Sequence, residues 1–105
     1  MDLAQLQAGL EVLGGLDPGA LPLHHAQVLL FIAEKESCTY REIEQRFGIS
    51  NASASRIINS LGEFSGHRKA PLGLVSVYID PAEGRRYRAR LTKKGQAVIR
   101  ALRSI

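Results

Sequence analysis

The sequence has 105 residues, 45% of them hydrophobic and 23% charged, with a net charge of +4. That is the size and mix of one folded domain, and it excludes a disordered chain. The longest apolar run, Val28 to Ala33, falls far short of the roughly 18–20 residues that span a bilayer. Met1-Asp2-Leu3 lacks the basic opening of a secretory signal, and the single Cys38 excludes an internal disulfide or a zinc site built on several thiolates. A cytoplasmic binding module is expected, since so short a chain has little interior to spare for an enzyme pocket.

The charge is unevenly placed. Residues 1–34 hold Asp2, Glu11, Asp17 and Glu34 and no base; residues 84–105 hold Arg85, Arg86, Arg88, Arg90, Lys93, Lys94, Arg100 and Arg103 and no acid. A solvated basic tail would have no pattern. Here the bases alternate with Tyr87, Ala89 and Leu91, which is the period of a strand with one buried side. Such a cationic strand suits a polyanion.

In chain order, Leu3, Leu6, Leu10 and Leu13 predict a helix over 3–13, stopped by Gly14-Gly15. Residues 14–22 read as a Gly/Pro linker. A nearly all-apolar, central helix follows over 23–35, with Pro22 at its start. Cys38-Thr39 is a very short strand or a helix entry. Thr39 and Glu42 form a capping box for a helix from Tyr40 to Phe47, and Gly48 suits the left-handed stop. Ser50 caps a further helix, over about 51–64, that turns Ala54, Ile57, Ile58 and Leu61 inward. Residues 62–73 read as a loop. Residues 74–79 and 85–91 form a hairpin around Asp80-Pro81-Ala82-Glu83-Gly84. Val75, Val77 and Ile79 share one face of the first strand and Leu74, Ser76 and Tyr78 the other, while Tyr87, Ala89 and Leu91 are expected on the buried side of the second. Thr92 caps a last helix over 93–104, with Val98, Ala101, Leu102 and Ile105 as its stripe.

Helix, three-residue turn, helix with a short-chained polar outer face, then a basic hairpin: this is the chemistry of a helix-turn-helix with a wing. A major groove about 12 Å wide admits a helix, small residues allow close approach, and arginine can fork onto guanine. The candidate groups on the recognition helix are Ser50, Asn51, Ser53, Ser55, Arg56 and Asn59. On the wing they are Arg85, Arg86, Arg88 and Arg90, because arginine is favoured in a narrow minor groove. Tyr40, His67, Arg68, Lys69, Lys93 and Lys94 are a second rank of DNA-contact candidates. Lysines in a first helical turn work against the helix dipole, which favours a phosphate role for Lys93 and Lys94. His24-His25 reads as capping or surface histidine rather than metal ligand, and Cys38 as a small buried hydrophobe. There is no nucleophile motif, phosphate loop or paired-carboxylate site, so no catalysis, metal or cofactor is expected.

Two stretches carry a resemblance. Tyr40 to Leu61 (YREIEQRFGISNASASRIINSL) and Asp80 to Gly95 (DPAEGRRYRARLTKKG) resemble the MarR family of winged helix-turn-helix transcriptional regulators, over about residues 22–102. The resemblance implies a symmetric dimer with two recognition helices in successive major grooves, Ser53, Ser55 and Arg56 as contacts, and Arg85 or Arg86 at the wing tip. The 62–73 link is longer than the family's usual one, and the last helix is shorter.

The expectation is therefore one domain over residues 1–105. It is mostly α with a small antiparallel β-hairpin wing: N-terminal helix 3–13, helix-turn-helix 39–64, wing 74–91, C-terminal helix 93–104. The expected function is sequence-specific binding of double-stranded DNA as a homodimeric repressor. Leu3, Leu6, Leu10, Leu13, Val98, Leu102 and Ile105 would form the dimer interface. The alternative is a winged-helix interaction or accessory module, in replication or phage assembly, without sequence-specific DNA binding. No membrane partner is expected, and the sequence names no small-molecule effector.

Overall fold

The computed structural model describes residues 1–17, 21–62, 72–82, 84 and 86–105. Its elements are α1 (Leu3–Gly14), α2 (Leu23–Lys35), β1 (Cys38–Thr39), α3 (Tyr40–Phe47), α4 (Asn51–Leu61), β2 (Val75–Ile79), β3 (Tyr87–Leu91) and α5 (Lys93–Arg103). The chain is mostly helical with a small antiparallel sheet, the winged helix-turn-helix expected from its pattern. Among the described residues no helix is long and apolar enough to cross a membrane.

Capping fixes most helix starts. Asp2 accepts from the Gln5 amide while Gln5 accepts from that of Asp2, a capping box the apolar spacing alone did not reveal. Thr39 and Glu42 make the same reciprocal pair at α3. Gly48 ends α3 at φ 63°, a conformation that costs a side-chained residue more than glycine. Only two residues then separate Gly48 from α4, so the two helices meet at a fixed angle.

The core is α2 wrapped by everything else. Val28, Leu29 and Ile32 are fully buried and meet Ile43 of α3, Ala54, Ile58 and Leu61 of α4, and Leu74, Val75 and Ala89 of the hairpin. Burying side chains of this size stabilises by about 1.5–3 kcal/mol each relative to exposure.

The sheet order is β1-β3-β2. Val75 pairs with Leu91, Val77 with Ala89 and Ile79 with Tyr87, so these six share one face. The expectation that this side of β3 is buried fails at Tyr87. Val75 and Ala89 are buried, but Val77 is 41%, Ile79 56% and Tyr87 57% exposed. The hairpin projects past the helical core, so only its base has something to pack on.

At α5 the inward residues are Gly95 and Ile99, with Val98 and Leu102 partly buried beside them; Ala101, expected on the stripe, is exposed. Gly95 sets that face. A Cβ there would collide with the Leu74 carbonyl, so α5 lies against the start of β2 as only a glycine allows. Thr92 completes the joint: its hydroxyl donates to Gly73 O (2.6 Å) and accepts from the Gly95 amide, and its own amide donates to Leu74 O.

α1 packs on α5 of the same chain, with Gly9 facing Leu102 and Ile105. Of the residues expected at a dimer interface, Leu13 lies in this chain's own core, and Val98 and Leu102 pack partly against it. Ile105 is half-buried, and Leu3, Leu6 and Leu10 face outward. The 3–4–3 spacing that pointed all four leucines one way holds along α1, but Leu13, nearest the α2 core, is swallowed by it.

Candidate nucleic-acid interface

α4 is a helix with two chemistries. Ala54, Ile57, Ile58 and Leu61 bury themselves, which turns Asn51, Ala52, Arg56 and Asn59 outward and leaves Ser53 and Ser55 at the boundary. Some of these polar groups already serve the fold. Ser50 Oγ accepts from the Ser53 amide at 3.1 Å and donates to Ser53 Oγ at 3.1 Å, so this pair is first a helix cap. Asn51 Nδ2 donates to Glu44 Oε2 at 3.2 Å and ties the two helices across the turn. Ser55, Arg56 and Asn59 make no side-chain hydrogen bond or ion pair among the described residues.

The hairpin stands beside α4 and the start of α3. Between them runs an open groove of about 620 Å3. α4 contributes Asn51, Ser55 and Asn59, α3 contributes Tyr40 and Arg41, and the wing contributes Val77, Arg86 and Tyr87. The Tyr40 and Tyr87 rings lean together, centroids 6.5 Å apart and 42° between planes. Burial pushes the Tyr40 hydroxyl pKa up from its ordinary value, and the neighbouring Tyr87 hydroxyl adds to the shift.

The wing arginines separate into different roles. Arg86 lines the groove. Arg88 is partly exposed but tied down: its Nε donates to Asp80 Oδ2 at 2.9 Å and its Nη1 to Ser37 Oγ at 3.0 Å, with Glu42 at 3.9 Å. Its pKa is raised, first by the hydrogen bond to Asp80. Ser37 Oγ also accepts from the Tyr78 hydroxyl at 2.8 Å. Arg90 sits over the Tyr78 ring, 4.5 Å from its centroid, on the face away from α4. There it joins Arg100 and Arg103 along a second groove, between α2, β3 and α5. Lys93 and Lys94 are exposed in the first turn of α5. Arg85, His67, Arg68 and Lys69 lie outside the described residues.

The groove brings Tyr40, Asn51, Ser55, Asn59 and Arg86 together. Arg56 faces out on α4 beside it, whereas Arg88 and Arg90 do not line it. Sequence reasoning missed Arg41, Ser37 and Asp80. Arg41 follows the Thr39 cap by two residues, which puts it in the first turn of α3 and on the groove rim; that signal was readable. Ser37 gave none, because its partners are 41 and 51 residues away. Among the described residues no group of three His, Cys, Asp or Glu could hold a metal ion.

The family model described as MarR family matches residues 21–63, the stretch from the start of α2 through α4. A mutant of E. coli MarR complexed with operator DNA superposes with a TM-score of 0.67 at 19% identity, over 96% of this chain and 67% of that one. The chain is MarR-like. A mutant of S. aureus MepR bound to an oligodeoxyribonucleotide superposes at 0.70, with 19% identity and the same coverage. RV1404 from Mycobacterium tuberculosis superposes at 0.74, with 15% identity over 96% of this chain and 63% of that one. The MarR-like chain thus spans about two thirds of the length of these structures. No curated protein matches it in sequence.

Proposed function

We propose that this chain is a cytoplasmic, sequence-specific, double-stranded-DNA-binding transcriptional regulator that acts as a homodimeric repressor. The observation that carries the reading is the single groove on which a short-chained polar helix face and a cationic wing converge, with Arg56 projecting beside it. Ser55, Arg56 and Asn59 read base edges in the major groove, and Arg86, with Arg41 across from it, takes phosphate. The E. coli and S. aureus proteins of this fold were solved with DNA, which supports the assignment. Repression follows from occupancy, without catalysis. Two copies meet through the outward leucines of α1, which would set the recognition helices one turn of DNA apart, about 34–36 Å.

Titrating duplex DNA at several salt concentrations tests this. If each subunit neutralises about 4–6 phosphates, the log–log slope for a dimer lies near −7 to −11. A slope shallower than about −3 would overturn the groove-plus-wing assignment and favour an interaction module.

A further inference from the structure

The wing carries apolar surface at its far end that base reading by α4 does not require. Ile79 and Tyr87 are the outermost pair of the β2–β3 ladder, and the Asp80 amide closes it by donating to Arg86 O at 2.8 Å. Their side chains are 56% and 57% exposed. Val77, two residues inward on the same face, lines the groove with Tyr87, so this face fronts α3 and α4. The opposite face is fastened to the body: Tyr78 and Arg88 both meet Ser37, and Arg90 lies over the Tyr78 ring. The wing is thus held from turning to bury Ile79 and Tyr87 on its own core, and leaving groups of this size in water is unfavourable.

We propose that Ile79 and Tyr87 form an apolar wedge that enters the minor groove beside the recognition site, parts one base step and bends the duplex. The proposal rests on the DNA-binding reading above and adds a source of specificity to it. The surroundings of the pair point to the occupant. Arg41 and Arg86 line the adjoining groove, and the one carboxylate among its described lining residues, Glu44, is engaged by Asn51. That setting suits a polyanion that also offers apolar faces, and a duplex opened at one step offers both. The Ile79 side chain has no polar atom to satisfy, and the Tyr87 ring stacks by its face while its hydroxyl stays at the wet edge. Pyrimidine–purine steps unstack most readily, and among them TpA alone carries no guanine amino group in the minor groove. The wedge therefore selects TpA without a hydrogen bond to either base. Arg86, next to Tyr87 in the chain, takes a phosphate beside the opened step.

The test uses the whole protein and duplexes of about 30 base pairs (three turns) selected from a random pool, with energy transfer between the duplex ends reading the bend. TpA should be enriched in the selected flanks, and the bound duplex should bend by about 20–90°. Replacing the flanking TpA by ApT keeps the minor-groove edges of A·T pairs and removes the flexible step. Wild-type affinity should then fall about fivefold or more, the low end for one altered position. Ile79→Thr and Tyr87→Ser, made separately, should each reduce the bend and bring the TpA-to-ApT ratio toward one; Ile79→Leu should keep both. Flanks without TpA, a straight bound duplex, equal wild-type affinity for the TpA and ApT duplexes, or a bend and ratio unchanged in both variants overturns the wedge and leaves DNA binding standing. Failure of the wild type to bind any duplex overturns both.

Discussion

At the turn end of the wing, Arg88 Nε donates to Asp80 Oδ2 at 2.9 Å, joining residues eight apart on either side of the hairpin turn. Asp80 also accepts from the Ala82 amide at 2.9 Å, so one carboxylate shapes the turn and anchors the returning strand. Arg88 reaches onward to Ser37, beyond the end of α2. The wing is thereby tied to the body by polar contacts on one face and by Val75 and Ala89 on the other.

Arg88→Ala should therefore loosen the wing rather than delete a surface charge. Amide exchange in β2 and β3 is expected to accelerate, and binding to all duplexes to fall together. Arg88→Lys should not restore protection, because an ammonium cannot hold two acceptors in one plane as a guanidinium does. Arg86→Ala should flatten the salt slope by about one unit. Exchange rates unaltered in Arg88→Ala would return that residue to the set of surface cations.

Arg56→Ala should cost roughly 1–3 kcal/mol on a selected site and relax preference at one base pair per half-site. Selection of bound duplexes from a random pool supplies the site. Equal loss on selected and random duplex would remove Arg56 from base readout.

Cys38 is fully buried, and burial pushes its thiol from 9.0 up to about 12, with Glu42 adding to the shift. Below pH 9 the thiol is protonated in both folded and unfolded chains and contributes no slope. Between about 9 and 12 the unfolded chain loses this proton and the folded chain keeps it, so stability falls by about 1.4 kcal/mol per pH unit from this group. Urea midpoints measured from pH 8 to 11 should show that decline, and Cys38→Ala should flatten it by that amount. An identical pH profile in the variant would rule the thiol out as its source.

Gly95→Ala should destabilise the fold by about 1–3 kcal/mol, the range for forcing an extra carbon into a filled contact. The obstacle is the Leu74 carbonyl, backbone that cannot swing aside. Chemical denaturation reads the change directly. A neutral result would mean that α5 can slide away from β2 at little cost.

Sedimentation at micromolar concentration tests assembly. Leu6 and Leu10 are 46% and 45% exposed, so Leu6→Asp with Leu10→Asp should leave a folded chain of about 11.5 kDa and remove tight binding. Leu102 is a poorer probe, since it packs on the core and on α1. A wild type that sediments as monomer while binding duplex with full affinity would refute the dimer.

Local signals made the helices readable. Thr39 with Glu42, Gly48, Ser50 and Thr92 each act on neighbours within a few residues, and each is found at the boundary it marks. Periodicity also placed Ile43, Ile57, Ile58 and Leu61 in the core. The wing was read correctly as a hairpin but not in its burial, because alternation reports two faces without saying how far the core extends beneath one of them. Arg86, Arg88 and Arg90 look alike in sequence. Their separation depends on Asp80, Ser37 and Tyr78, of which only Asp80 is close in the chain. Gly95 was visible only as part of a family string; its reason, the Leu74 carbonyl, is a contact made across the fold.

The joint beneath the wing bears on how this chain can change length. Gly73 donates to Gly62 O at 2.8 Å, and Leu74 to Leu61 O at 2.8 Å, so the end of α4 and the start of β2 are stitched to each other directly. Gly62 and Gly73 thereby form a fixed gate. Closing a span twice as long through a fixed gate adds only about 0.6 kcal/mol. Insertions between Gly62 and Gly73 can therefore accumulate in a lineage while the angle between recognition helix and wing stays as it was, and this is the place where a relative of different length can keep the same grip on its target.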